Sequence, residues 1–133
     1  MASTFDDRPT GGTLTAAISN AVVRILSEYI GRGPTKVRTS IRDDVILVLL
    51  HDTLTKAERS LLAAGEGQFV LETRIRFQST MRHDFIAAVE MLTERKVIAF
   101  MSANHLEPDM GAEMFVLEPR AESGAADSLP TGA

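Results

Sequence analysis

Apolar residues recur at helical spacing near the start of the chain. Steps of four and three residues place them on one stripe, which predicts an amphipathic helix. Gly31 follows this stretch in the position of a left-handed C-cap, and Pro34 prevents the helix from continuing. The members of the stripe are Leu14, Ile18, Val22, Ile25 and Tyr29.

Two further helices are expected in the middle of the chain. Thr55 and Glu58 have the spacing of a capping box, and Gly65 is a candidate stop signal. A long helix is then predicted from Glu66 or Gly67 to about Arg95. Its later half carries apolar residues at helical spacing, which we interpret as core: Phe77, Met81, Phe85, Ala88, Val89 and Leu92.

Residues 36–42, "KVRTSIR", alternate between two faces, whereas residues 45–50, "VILVLL", are apolar on both. Asp43 and Asp44 between them can form a tight turn, which predicts that Arg42 pairs with Val45, Ser40 with Leu47 and Arg38 with Leu49. Because one face of the first strand is cationic, we expect it to be a protected edge of the sheet.

A second strand pair is expected in "KVIAFMSAN" and "AEMFVLEP", joined through "HLEPDMG". The predicted order is α-β-β-α-α-β-β, an α+β fold with one four-stranded antiparallel sheet packed against helices. The strands have more apolar faces than helices on one side would cover. Either helices cover both faces, or the exposed face is a subunit interface, and we favour a homodimer.

The length of 133 residues fits one domain, predicted at residues 13–119 between disordered tails at 1–12 and 120–133. The chain has no cysteine and no apolar run approaching the roughly 20 residues of a membrane span, so we expect a cytoplasmic protein without direct membrane insertion. Its net charge of -4 and few aromatic residues argue against nucleic acid as a partner.

The segment "GRGPTKVRTSIRDD", residues 31–44, has the highest density of cations. Its "GRGPTKV" does not have the spacing of a phosphate-binding loop, and it follows a helix instead of a strand. Its cations either form a solvated face or attract a small anion or an acidic partner. The candidate binding residues are Arg32, Lys36, Arg38 and Arg42.

No arrangement of residues indicates catalysis, so we expect neither an enzyme nor a cofactor. No serine lies in a nucleophile elbow, and the adjacent Asp43 and Asp44 would be solvated in their turn. "NHLEPDMG" groups Asn104, His105, Glu107 and Asp109, but a zinc site usually needs more than one histidine. We therefore interpret these residues as turn chemistry and expect no metal.

Two blocks, "GRGPTKVRTSIRDDVILVLLHDTLTKAERSL" and "RKVIAFMSANHLEPDMGAEMFVLEP", closely resemble the MpsC-type family of small bacterial domains. The resemblance covers about residues 13–119. The family takes its name from a component of a Na+-translocating, membrane-potential-generating system that is also connected with inorganic-carbon supply. The resemblance implies a soluble accessory protein of a membrane transport complex, acting by protein contact. The alternative is a cytosolic sensor that binds a small anion or a nucleotide.

Overall fold

The computed structural model describes residues 11–120, so the predicted tails at 1–12 and 120–133 lie almost entirely outside the described residues. Three helices and four strands follow in the predicted order. They are α1 (Gly11–Ile30), β1 (Lys36–Arg42), β2 (Val45–His51), α2 (Lys56–Ala63), α3 (Gly67–Thr93), β3 (Val97–His105) and β4 (Met110–Leu117). The α+β fold class is thereby confirmed.

The ends of the helices are set by local backbone chemistry. Gly31 has a φ of 97° after α1, and its N–H donates to the carbonyl oxygen of Ser27 at 2.9 Å, as expected of a left-handed cap. The predicted capping box of α2 is present: Glu58 N donates to Thr55 Oγ1 at 3.1 Å, and Thr55 N donates to Glu58 Oε1 at 2.9 Å. Helix α3 ends at Thr93, two residues before the predicted end, because Glu94 is left-handed with a φ of 58°.

All four strands pair antiparallel in the order β1-β2-β4-β3. The register of the first hairpin is the predicted one, with Arg42 opposite Val45 and Arg38 opposite Leu49. Asp43 provides the turn in a left-handed conformation, with a φ of 55°. The outermost position of β1 confirms that it is an edge strand.

Helices α1 and α3 pack on one face of the sheet and form the core there. Three phenylalanines join the layers: the ring of Phe100 lies 5.7 Å from that of Phe85 and 5.0 Å from that of Phe115. Burying a side chain of this size stabilises the fold by about 1.5–3 kcal/mol. Other fully buried members are Ile18 and Val22 of α1, Ile46 and Val48 of β2, and Met81 and Val89 of α3.

Two residues that we placed on the apolar stripes of the helices, Tyr29 and Phe77, are in fact half exposed. Tyr29 is 40% exposed because it lies at the end of α1, where its hydroxyl donates to Asp84 at 2.7 Å. Phe77 is also 40% exposed, because the buried stripe of α3 passes instead through Arg74 and Met81.

The second face of the sheet has no helix on it within residues 11–120. Helix α2 packs against α3 and contains no buried residue. The sequence left two alternatives open, helices on both faces of the sheet or an exposed face. In the described residues, the helices do not cover both faces.

Candidate functional site

The uncovered side of the sheet, which we call the open sheet face, is apolar across β2, β4 and β3. Its side chains alternate with the core residues of the same strands, so their orientation follows from the register. Val45 at one end is 38% exposed and Met101 on β3 is 50% exposed. The face consists of Val45, Leu47, Leu49, Ala112, Met114, Val116, Ala99, Met101 and Ala103.

Along one edge of the open sheet face lies a line of cations from β1, which we call the cationic row: Lys36, Arg38 and Arg42. They lie opposite His51, Leu49 and Val45 of β2. Alternate residues of a strand point to the same side and lie about 6.6 Å apart, so Lys36 is about 6.6 Å from Arg38, and Arg42 is about 13 Å further along the same side, beyond Ser40. Among residues 11–120, none of the three makes an ion pair. The structure therefore brings together three of the four predicted site residues.

Arg32, the fourth, is engaged elsewhere. Its Nη1 donates to the carbonyl oxygens of Asp52 at 3.0 Å and Leu54 at 2.8 Å, and its Nη2 lies 3.3 Å from Asp52 Oδ2. These contacts tie the loop after α1 to the loop that leads from β2 into α2. Arg32 thus helps to position α2 and does not extend the cationic row.

A second polar cluster is built around Arg74, which is 7% exposed within α3. Its Nε and Nη2 donate to the two carboxylate oxygens of Glu58 at 2.9 and 2.6 Å, a bidentate pair. Its Nη1 donates to Thr53 Oγ1 at 2.9 Å and to Asn104 Oδ1 at 3.1 Å, and Nη2 also donates to Thr53 O at 2.9 Å. Arg74 therefore joins α3 to α2, β3 and the β2–α2 loop.

The acids of this cluster are held in their charged form. Burial alone would raise the pKa of Glu58, but the hydrogen bonds from Arg74 and Thr55 outweigh it and lower that pKa below its usual value. The pKa of Asp109 is also lowered despite burial. Its carboxylate accepts hydrogen bonds from Leu54 N, Thr53 N and Thr53 Oγ1 at 2.9–3.0 Å. Asp109, which we had considered as part of a turn, thus fixes the start of α2.

Glu113 differs from the other acids. It points into the core from β4 and is 3% exposed. Burial raises its pKa to about 7, although the hydrogen bond from the Ser102 hydroxyl and the nearby charge of Arg74 both act to lower that pKa. Glu113, Arg74 and Asn104 line a small cavity of about 20 Å³, which is room for one water molecule. The opposite wall is apolar, from Leu26, Ile30, Leu50, Phe77 and Met81.

Sequence reasoning missed both Arg74 and Glu113, although each had a signal. Glu113 stands at an inward position of the β4 alternation that also contains Phe115 and Leu117. Arg74 stands in the apolar stripe of α3, four residues after Val70 and seven before Met81. A charged residue at such a position either pairs inside the core or has an altered pKa. Here Arg74 is paired, and Glu113 has the altered pKa.

Within the described residues, no helix has the length and the continuous apolar character needed to cross a bilayer. No solved structure matches the chain. A 61-residue stretch is 33% identical to "Uncharacterized protein YbcI" of Bacillus subtilis (strain 168), covering 46% of this chain and 49% of that protein. The chain thus spans about half the length of the curated relative that it matches.

The model of one protein family matches residues 10–119, which include every helix and strand, the open sheet face and both polar clusters. That family is described as "Na+-translocating membrane potential-generating system (MpsC)". The match confirms the resemblance noted in the two sequence blocks, and the chain belongs to the MpsC family.

Proposed function

We propose that this protein is a non-catalytic, cytoplasmic accessory component associated with a Na+-translocating membrane system, and that it acts by binding other proteins. Membership of the MpsC family supports the association. The observation that carries the mode of action is the open sheet face, an apolar surface bordered by cations that make no ion pair among residues 11–120. We assign separate contacts to the open sheet face and to the cationic row.

The apolar part of the open sheet face pairs two copies of the chain. Single-chain soluble proteins rarely leave a contiguous apolar patch of more than a few hundred Å² in water. Nine side chains from three strands lie on this face without a covering element among residues 11–120. Two such faces can stack about 10 Å apart as in a β-sandwich, and a two-fold axis makes the contact self-complementary.

The cationic row then lies at the rim of the paired sheets, where it is available to a third protein. Lys36, Arg38 and Arg42 have no counter-ion in the described chain, so an acidic segment could approach them without displacing an existing pair. Charges at a rim mainly accelerate and orient association. We therefore assign the row to an acidic cytoplasmic segment of the membrane partner.

The pairing is tested by sedimentation velocity at micromolar concentration. Wild-type protein should sediment as a dimer, and Met114→Glu should shift it to a monomer because it places a charge at the centre of the open sheet face. Met91→Glu is the matched control, since Met91 is 74% exposed on α3 at the opposite side of the molecule. A wild-type monomer, or a dimer that survives Met114→Glu in folded protein, contradicts the pairing.

The partner contact is tested in two steps: the neighbouring genes are searched for a multi-span membrane protein, and the protein so identified is tested for co-purification with this chain. Arg38→Glu with Arg42→Glu should abolish capture, and capture by wild-type protein should weaken as salt is raised. Arg76→Glu on the exposed side of α3 is the control and should leave capture unchanged. Equal capture by all variants would remove the cationic row from the proposal.

The second candidate function is a sensor for a small anion, such as bicarbonate or a nucleotide. The observation that favours it is again the cationic row, whose three residues have no counter-ion in the described part of the chain. A rise in melting temperature with one of these anions, lost in Arg38→Glu, would support the sensor. The absence of any shift at millimolar anion would leave the accessory role as the better proposal.

A further inference from the structure

Within residues 11–120, the carboxyl group of Glu113 has no cation that is free to neutralise it. Arg74 lines the same cavity, yet each of its five N–H groups already has an acceptor, on Glu58, Thr53 or Asn104. Ser102 donates one hydrogen bond to Glu113, and the second carboxyl oxygen accepts none from a described residue. An ionised Glu113 would therefore be a buried charge without a paired cation.

The elements around Glu113 offer no other free cation among residues 11–120. Beside it in the sheet, β2 presents apolar side chains and β3 presents neutral polar ones. Helix α1 faces the cavity with apolar residues, and Arg32 from the following loop is occupied by Asp52. Val48 of β2 and Ser102 of β3 flank Glu113 in the sheet. Besides Glu113, the residues that line the cavity are Leu26 and Ile30 (α1), Arg32 and Pro34 (the following loop), Leu50 (β2), Thr53 (β2–α2 loop), Arg74, Phe77, Gln78 and Met81 (α3), Asn104 (β3) and Gly111 (β4).

The charges of the wider cluster also balance only when Glu113 is neutral. Three arginines face three carboxylates in the ion pairs around α2, and Glu113 is a fourth acid. The paired groups are Arg32, Arg59 and Arg74 with Asp52, Glu58 and Asp109. Burial raises the pKa of Glu113 to about 7, in keeping with this imbalance.

Helix α2 depends on the same arginine. None of its eight residues is fully buried, so apolar packing holds it weakly. Its polar anchors are Glu58, which joins the capping box and the bidentate pair to Arg74, and Arg59, which pairs with Asp52 and Asp109. Removing Arg74 from Glu58 would therefore loosen the helix at its first turn.

We propose that Glu113 and Glu58 compete for Arg74, so that loss of the Glu113 proton loosens helix α2 from helix α3. With Glu113 protonated, Arg74 stays bidentate on Glu58. When the proton leaves to water through the cavity, the carboxylate attracts the guanidinium, and Glu58 loses its partner. The groove of about 300 Å³ between α2, α3 and the end of α1, which Leu61, Phe69 and Phe77 line, then opens. This device does not depend on the accessory role proposed above.

The test is hydrogen exchange of the α2 amides, residues 56–63, in the full chain at pH 6 and pH 8, corrected for the intrinsic rate at each pH. Wild-type protein should show a roughly tenfold rise in local opening at pH 8. Glu113→Gln should hold α2 in its protected state at both pH values, and Glu58→Gln should leave it open at both. Glu107→Gln, an exposed acid in the β3–β4 turn, is the control and should behave as wild type.

Carbon-13 detection of the glutamate carboxyl groups in wild-type protein gives a second readout that requires no folded variant. The midpoint of the Glu113 resonance should coincide with the midpoint of α2 opening. A Glu113 that titrates while α2 protection stays constant would overturn the coupling. A Glu113 that remains ionised from pH 5 to pH 9 would overturn the proton site itself.

Discussion

At the scale of single residues, Glu113 combines an ionisable carboxyl group with almost complete burial. It shares the inward face of β4 with Phe115 and Leu117, and its neighbour across the strand pair is Val48. A glutamate at this position is tolerated as a neutral acid bonded to Ser102. The stability of the whole chain should therefore depend on pH in a range where surface carboxylates no longer titrate.

The first prediction concerns that dependence. The folded pKa of about 7 lies above the ordinary value of 4.5, so the folded state binds the proton more tightly than the unfolded state. This contribution is complete below pH 4.5 and is lost as the pH rises through 7. The free energy of unfolding by urea should thus fall by about 2–3 kcal/mol between about pH 5 and pH 8.

Glu113→Gln is the control for this titration, because it should remove most of the slope. Glu58 and Asp109 have lowered pKa values and act in the opposite sense, so their contribution is lost only in more acidic solution, as the pH falls through their folded values. A wild-type stability that rises from pH 5 to pH 8 would contradict the first prediction.

The second prediction concerns Gly31. Its φ of 97° is a conformation that side-chain-bearing residues rarely adopt, and nothing within 4 Å would obstruct an added methyl group. Gly31→Ala should therefore lower the free energy of unfolding by about 1 kcal/mol through backbone strain alone. Gly12→Ala adds the same methyl in open space within α1 and should not destabilise the protein. Equal effects of the two substitutions would mean that the backbone conformation at Gly31 is not strained by a side chain.

At the scale of elements, local signals were enough for most of the fold. The capping box of α2, the glycine after α1 and the Asp43 turn depend on residues within a few positions of one another, so the sequence displays them directly. The register of the first hairpin followed from the turn. These elements could be predicted because their causes are local.

The Arg74 cluster could not be predicted in the same way. Its members come from α3, α2, β3 and the β2–α2 loop, and only the tertiary fold brings Arg74 to Glu58, Thr53 and Asn104. The position of Arg32 has the same explanation, since the loop that it contacts lies 20 residues further along the chain. Phe77 was predicted to be buried but is half exposed. Helical spacing shows which residues share a stripe, but it does not show how much of that stripe the neighbouring elements cover.

The third prediction follows from the part that Arg74 plays between elements. Arg74→Ala would leave Glu58 largely buried, with its side chain 13% exposed and its cation gone. We expect a loss of about 3–5 kcal/mol in the free energy of unfolding by urea. Arg76→Ala, two residues later on the exposed side of α3, should change it by less than about 0.5 kcal/mol. A loss below 1 kcal/mol for Arg74→Ala would mean that the pair is effectively solvated.

At the scale of the whole molecule, the two sides of the sheet have different tasks. The helical side contains the buried core and the Arg74 cluster, whereas the open side contains the apolar patch and the cationic row. Substitutions on the open side should thus separate binding from folding. We expect this separation to be clearest in the cationic row.

The fourth prediction concerns that row. Arg38→Glu and Arg42→Glu should each change the free energy of unfolding by no more than about 1 kcal/mol, because exposed charges contribute little to stability. The same substitutions should abolish binding of the acidic partner or anion. Urea unfolding checks the expected stability of each variant, and a binding assay on the same preparation checks the expected loss of binding. If Arg38→Glu unfolds the protein, its side chain is paired and structural, and the row cannot be a recognition surface.

The strand order has a consequence for the time course of folding. Each hairpin is local, but the two inner strands belong to different hairpins: residues 45–51 pair with residues 110–116. Strands β2 and β4 can pair only after the intervening chain, which contains α2 and α3, has brought β4 next to β2. Because such distant contacts require the closure of a long loop, the pairing of β2 with β4 should limit the folding rate. Substitutions at Val48 or Phe115 should then slow folding, whereas changes at the Asp43 turn should mainly speed unfolding.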